Sequence, residues 1–240
     1  MRPLRVIARY TLMMVGNTDL LRRVPFLAAL PVEDVEWLGQ RVTRRRLDKG
    51  ELVFQKDEPG YAAYIIERGS IRIYVPAAQG NDLTLAVLGP GDFFGDLSLL
   101  DGQPRSASAA ALSETSLLLV ERRDFMALLR SRPEAAMAVL AVVARRLRET
   151  DEMASDLASL DAGTRLAKKL LELAEAHGVE HDGGVLLDLP VTQEELANMI
   201  GVTRESVNRC LAMFRRRGLV KNQGRRLVLR DLQGLRRRCQ

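Results

Sequence analysis

Residues 191–218 read VTQEELANMIGVTRESVNRCLAMFRRRG, and no other stretch constrains the fold of this chain as tightly. Thr192 followed by Glu195 has the spacing of a capping box, in which each side chain satisfies the other residue's backbone N–H, so a helix starts here. Leu196, Met199 and Ile200 line one face of that helix, and Gly201 ends it where a tight turn is needed. Thr203 offers an N-cap for a second helix, whose apolar residues Val207, Leu211 and Phe214 recur at helical spacing. Two short helices joined by a glycine turn make a helix-turn-helix, and the second of them is the one that enters a major groove. The alternative, a helical hairpin with a solvated basic face, leaves the agreement of cap, turn, core and polar face without a reason.

The second helix exposes Thr203, Arg204, Glu205, Ser206 and Arg209 in its first turns, and Arg204, Glu205 and Arg209 lie off the Val207/Leu211 face. Arginine bonds guanine O6 and N7 together, and a carboxylate accepts from the cytosine N4 amino group. A glutamate facing phosphates is unfavourable; facing a cytosine it has a purpose. Arg215, Arg216 and Arg217 at the far end, with Arg225 and Arg226 beyond, suit backbone phosphates. Leu219-Val220 and Leu227-Val228-Leu229 flank Asn222-Gln223-Gly224 and predict a hairpin wing. Charge follows the same division. Residues 165–240 hold 15 Lys and Arg against 9 Asp and Glu, a balance of +6, while the first 164 hold the remaining 21 basic and 22 acidic groups. Positive charge concentrated in the last third fits a polyanionic partner, double-stranded DNA.

From about Gly50 to Val120 the pattern has period two. Ile71, Ile73 and Val75 alternate with Arg72 and Tyr74, and Leu83, Leu85 and Val87 alternate with Thr84 and Ala86. Gly50, Gly60, Gly69, Gly80, Gly91 and Gly102 recur about every ten residues, where tight turns want positive φ. Short strands at this spacing predict a sandwich or barrel, with a β jelly roll the natural form.

Near Pro133 the period changes. Between Glu134 and about Leu160 there is neither Gly nor Pro, and Met137, Leu140, Ala144, Leu147, Asp151 and Ala154 fall at alternating steps of three and four. That is a seam for a second helix, and a span near 40 Å exceeds what one small barrel covers. The seam therefore predicts a homodimer, with Asp151 as its polar flaw; the alternative is a helix lying wholly on its own barrel. Asp161-Ala162-Gly163 is the expected hinge, followed by an amphipathic helix from Thr164 to His177 with Leu166, Leu170, Leu173 and Ala174 on its buried face. His177 through Gly184 reads as a turn-rich loop.

Several function classes drop out. Cys210 and Cys239 give neither a disulfide framework nor metal-ligand spacing, which fits a reducing cytoplasm. Two histidines, His177 and His181, both outside the barrel, exclude histidine haem ligation there and a cupin-type metal enzyme. No catalytic Ser-His-Asp or Cys-His arrangement and no kinase motif is present, so no enzyme is expected. No apolar run spans a bilayer, and residues 1–15 read either as a basic arm or as an extension ahead of a start at Met13 or Met14, not as a signal peptide.

With these residues in view, the chain resembles the cAMP receptor protein/FNR family of bacterial regulators over nearly all of residues 20–230. The resemblance rests on Thr203-Arg204-Glu205-Ser206-Val207-Asn208-Arg209 and on Phe94-Gly95-Asp96-Leu97-Ser98-Leu99-Leu100-Asp101-Gly102-Gln103-Pro104-Arg105-Ser106-Ala107, which is similar to the family's phosphate-binding cassette. It implies an α+β fold: a cyclic-nucleotide-binding-like jelly roll (19–132) behind an N-terminal arm (1–18), a dimerisation helix (133–160) and a winged helix-turn-helix (161–240). It also implies that Arg204, Glu205 and Arg209 read a TGTGA-like half-site, that the dimer reads a palindrome, and that RNA polymerase is a partner. The effector site it implies comprises Gly95, Asp96, Leu97, Arg105 and Ser106, with Thr150 and Asp151 on the long helix and Arg146 as a further phosphate-side candidate. Arg105 can neutralise a cyclic phosphate bidentately, with Ser106 sharing the oxygens, and Asp96 can hold a ribose hydroxyl. The chain departs from the family twice: Asp96 stands where cAMP-binding members usually carry Glu, and Asp151 stands where the cAMP receptor protein has Ser. The implied effector is cAMP or another small molecule; the alternative is an effector-independent regulator whose barrel is a dimerisation scaffold. The family's iron–sulfur branch needs N-terminal cysteines that are absent here, so neither that cluster nor haem is expected.

Overall fold

The computed structural model describes residues 21–22, 24–28, 30–77, 82–187, 192–224 and 226–239 of the 240. The expected N-terminal arm, Gly80 and Arg225 lie outside the described residues. Two compact units result, one from residues up to Val75 and Leu85–Arg148, the other from Pro76–Thr84 and Glu149–Gln240. The long helix is shared between them.

The first unit begins with helices α1 (Pro25–Ala28) and α2 (Val32–Gly39), followed by strands β1 (Thr43–Leu47), β2 (Leu52–Phe54), β3 (Ala62–Arg68), β4 (Ile71–Val75), β5 (Leu83–Leu88) and β6 (Phe93–Phe94). Helix α3 (Leu97–Asp101) precedes β7 (Ser108–Ala111) and β8 (Thr115–Glu121), after which come α4 (Arg122–Ser131) and the long α5 (Pro133–Ser159). Two four-stranded sheets form, ordered β1-β8-β3-β6 and β2-β7-β4-β5, with antiparallel pairing such as Tyr64↔Leu119 and Ile73↔Ala109. Strand β3, AAYIIER, is buried on both faces, so its apolar run does not alternate. Ala63 and Ile65 join a core with Leu38, Phe125 and Val139, while Tyr64 and Ile66 join the core between the sheets with Ile71, Ala109 and Leu117. The sheet is thus the middle layer between helices and the second sheet.

Two readings of this region change. In β5 the expected alternation is not kept: Thr84 is buried, Leu88 packs on the inter-sheet core, and Val87 is 46% exposed. Apolar side chains of both parities in LTLAVL made either face readable as the buried one. Of the turn glycines, Gly50, Gly69, Gly91 and Gly102 take φ of +73 to +89, but Gly60 does not. A Cβ at Gly60 would lie 2.4 Å from Ser98 Oγ, so glycine is required there by space.

Helix α5 runs 27 residues, about 40 Å at 1.5 Å per residue. Ala135, Val139 and Val142 are buried in the first unit's core, whereas Met137, Leu140 and Leu147 are 66%, 57% and 61% exposed. The seam residues therefore point away from the face that the barrel covers.

The second unit continues with α6 (Ala162–His177), β9 (Gly178–His181), β10 (Gly184–Leu187), α7 (Gln193–Ile200), α8 (Arg204–Arg216), β11 (Val220–Gln223), β12 (Arg226–Leu229) and α9 (Leu232–Arg238). The expected hinge is shifted: the break falls at Leu160–Asp161, and Ala162 and Gly163 belong to the first turn of α6, which Asp161 caps by accepting from Thr164 N. Arg165 donates to the carbonyls of Leu160 and Ile200, and Lys168 Nζ lies 2.6 Å from both Glu152 Oε1 and Asp156 Oδ2. The stretch His177 through Gly184, expected as a loop, instead holds the end of α6, β9 and the turn into β10, and β10 joins the wing in a sheet ordered β11-β12-β10-β9. No helix of the described residues is long and apolar enough to cross a membrane.

Candidate functional site

The two short helices form as the sequence dictates. Thr192 N donates to Glu195 Oε2 at 2.6 Å and Glu195 N to Thr192 Oγ1 at 3.1 Å, completing the capping box of α7. Gly201 ends α7 at φ +64, ψ +45, a left-handed conformation in which a larger residue is strained. Thr203 then caps α8, accepting from Ser206 N at 3.3 Å. Val207, Leu211 and Phe214 are at most 4% exposed and pack with Leu196, Ile200, Leu166 and Leu170.

That burial fixes which side of α8 is presented. At about 100° per residue, Glu205, Arg209 and Arg216 fall within about 40° of one another, opposite the Val207/Leu211/Phe214 row. All three are exposed, as are Thr203 and Arg204, while Ser206 is half-buried on the flank. The first turn is internally bonded. Arg209 Nη2 donates to Ser206 Oγ at 2.9 Å, and the hydroxyls of Ser206 and Thr203 are 3.1 Å apart. The Glu205 carboxyl is held below its ordinary pKa by its own backbone N–H, then by the Thr203 hydroxyl and the cations Arg204 and Arg209. Arg215 reaches Asn222 Oδ1 in the wing at 3.4 Å. Exposed arginines around one carboxylate, on a helix seated by its opposite face, can bond base edges and phosphates.

In the first unit the cassette is built around a buried cation. Arg105 is 4% exposed, and its guanidinium lies 4.2 Å above the Phe54 ring. Nη1 donates to the Gly95 carbonyl at 2.6 Å and to Ser98 Oγ at 3.0 Å, and Nη2 donates to the Ala62 carbonyl at 2.7 Å. Nε is buried with no hydrogen-bond partner among the described residues. Asp101, a conceivable ion-pair partner, instead accepts from Gln103 N. Burial pulls the Arg105 pKa below its ordinary value, against the opposing pull of Tyr64, Asp96 and Glu58. Gly95, at φ +78, makes room: a Cβ there would lie 2.8 Å from Nη1. Of these neighbours, sequence reasoning missed Phe54, Tyr64 and Ala62, which come from other strands, and left Ser98 unassigned although it stands inside the quoted cassette.

Asp96 has a different partner from the expected ribose hydroxyl. It is 1% exposed, and Oδ1 accepts from Arg146 Nη1 of α5 at 2.9 Å; Arg146 also donates to the Phe93 carbonyl. Oδ2 is buried with no partner among the described residues. Arg146, a phosphate-side candidate in the sequence, thus sits on the carboxylate. Leu97 is 43% exposed and Ser106 is exposed beside Arg105 in sequence. Thr150 and Asp151 are exposed on the part of α5 that belongs to the second unit. Among the described residues no group of His, Cys, Asp and Glu could hold a metal ion.

Comparison with known proteins assigns both parts. Residues 44–132 match the family described as cyclic nucleotide-binding domain, and residues 164–238 match the Crp-like helix-turn-helix domain. The chain is 37% identical over 221 residues to a CRP-like cAMP-activated global transcriptional regulator of Mycobacterium tuberculosis, covering 92% of this chain and 99% of that protein. It is 36% identical over 197 residues to the cyclic AMP receptor protein of Thermus thermophilus, covering 82% and 88%. Among solved structures, the c-di-GMP responsive global regulator CLP of Xanthomonas campestris superposes with a TM-score of 0.76 at 25% identity, over 84% of this chain and all of that one. With both domains matched and these relatives spanning nearly its whole length, the chain belongs to the CRP/FNR family of transcription regulators.

Proposed function

We propose that the chain acts in the cytoplasm as a homodimer that reads a palindrome of TGTGA-like half-sites with α8 and responds to a small anionic effector at Arg105. The observation that carries the DNA reading is the exposed row Glu205, Arg209 and Arg216 opposite the buried Val207/Leu211/Phe214 row. Thr203, Arg204, Glu205, Ser206 and Arg209 engage the groove, and Arg216, with Arg225, engages phosphates. Exposed Met137, Leu140 and Leu147 support pairing of α5 with its copy. Two-fold symmetry sets the recognition helices about 34 Å apart. RNA polymerase is the partner family membership implies, and no catalytic role is assigned.

The cassette residues fit an anion. Arg105 is buried with two carbonyls and a hydroxyl as acceptors and no carboxylate in ion-pair range among the described residues, and its Nε–H is unused. A phosphate sharing Arg105 and Ser106 would supply the missing counter-charge. The M. tuberculosis and T. thermophilus relatives are named for cAMP and the X. campestris one for c-di-GMP, so a cyclic nucleotide is the effector class. Such a ligand switches DNA binding only through differential affinity for two states of the protein.

One observation favours a second reading, a regulator that needs no effector. Arg146 already engages Asp96, so the cassette is tied to α5 without a ligand. Calorimetry with cAMP, cGMP and c-di-GMP, beside operator binding without them, separates the two. Binding of one nucleotide, with a shift in operator affinity, supports the first reading. Tight operator binding that all three leave unchanged supports the second and overturns the first.

A further inference from the structure

Arg209 does not extend freely from α8. Its Nη2 donates to Ser206 Oγ one turn earlier, at 2.9 Å; the Ser206 hydroxyl is 3.1 Å from Thr203 Oγ1, and Thr203 caps the helix by accepting from Ser206 N. A chain of bonds therefore runs from the rigid N-cap through a half-buried hydroxyl to an exposed guanidinium. We propose that Ser206 is a positioning residue, which sets the direction of Arg209 before DNA arrives and so sharpens the base preference at the pair Arg209 reads.

The physical ground is entropy and direction. A free arginine samples many rotamers, and part of that entropy is lost at every bond it makes to a base. Restraining it beforehand lowers that loss for the geometry it is held in and for no other. Side chains of a helix lean towards its N-terminus, and the Ser206 bond draws Arg209 further that way, towards the end that enters the groove.

The inference rests on α8 being the groove-reading helix, and the test keeps the two claims apart. Full-length wild type, Ser206→Ala, Ser206→Thr, Arg209→Ala and the Ser206→Ala/Arg209→Ala double variant are compared on an operator, on half-sites changed one base pair at a time, and on non-specific duplex. Arg209→Ala identifies the pair that Arg209 reads. Ser206→Ala is expected to reduce discrimination at that same pair about threefold to tenfold, the range set by one hydrogen bond, and to lose less on non-specific duplex than on the operator. Ser206→Thr, which keeps the hydroxyl, is expected to restore it, and Ser206→Ala is expected to add nothing in the Arg209→Ala background. Equal losses on all duplexes, or additivity with Arg209→Ala, would make Ser206 a phosphate contact and overturn the proposal. If Arg209→Ala leaves base preference untouched, the groove reading itself fails and the proposal with it.

Discussion

Arg238 of the last helix closes on Asp161 at the start of α6, its Nη2 lying 3.0 and 2.8 Å from the two carboxylate oxygens. Asp161 also caps the helix, and its pKa is held below the ordinary carboxylate range, first by the Thr164 backbone N–H and then by Arg238. A depressed folded-state pKa contributes stability that is complete above the unfolded value and is lost as pH falls through the folded one. Asn keeps the capping function and removes the charge. Wild type should therefore exceed Asp161→Asn in unfolding midpoint at neutral pH, with the gap closing as pH falls below the ordinary carboxylate value and through the depressed folded one. Parallel pH profiles would show that the charge contributes nothing.

In the cassette the pair to break is Arg146–Asp96. Removing Arg146 leaves a carboxylate that is 1% exposed without its cation. A fully buried pair costs about 3–5 kcal/mol when broken in this way; because Arg146 is part-exposed, Arg146→Ala should lose about 2–3 kcal/mol. Asp96→Asn placed on top should recover part of that loss. Denaturant unfolding of the two variants checks both signs.

Gly95 and Gly102 offer a controlled comparison. Both have positive φ, +78 and +73, so alanine strains the backbone at either by about 1 kcal/mol. A Cβ at Gly95 also meets Arg105 Nη1 at 2.8 Å, whereas at Gly102 the nearest atom is 3.7 Å away. Gly95→Ala should therefore lower the midpoint of thermal unfolding more than Gly102→Ala. Equal losses would show that Arg105 moves aside without cost.

The exposed seam of α5 predicts the oligomeric state. Sedimentation should give a mass near twice 26.7 kDa for wild type, and Leu140→Asp should shift it to the single-chain value. Leu140 is 57% exposed, so the substitution should leave barrel unfolding nearly unchanged. A Leu140→Asp protein that stays dimeric would place the interface elsewhere.

The helix-turn-helix was legible because its determinants are local: a cap three residues from its partner, a glycine at the turn and one apolar row. The long helix and the jelly-roll form followed from changes in period. What stayed hidden is non-local or compositionally disguised. Strand β1, TRRRL, carries three arginines because it is a sheet edge, where Arg44 pairs with Glu67. The β9–β10 hairpin hid behind Gly and polar residues because β9 is an exposed edge strand. Arg146 and Asp96 are 50 positions apart, and Arg238 and Asp161 are 77 apart, so spacing could signal neither pair. Arg105 was found as a residue, but its carbonyl and aromatic surroundings came only with the fold.

If α8 reads base edges, Arg204 is the side chain whose removal shows it. Affinity should be measured for a TGTGA palindrome, for the same site changed one base pair at a time and for unrelated duplex, with wild type and Arg204→Ala. Arg204→Ala should lose about 1–3 kcal/mol on the operator and relax preference at one position per half-site, with unrelated duplex bound nearly as before. Unchanged operator affinity and unchanged base preference in Arg204→Ala would contradict it.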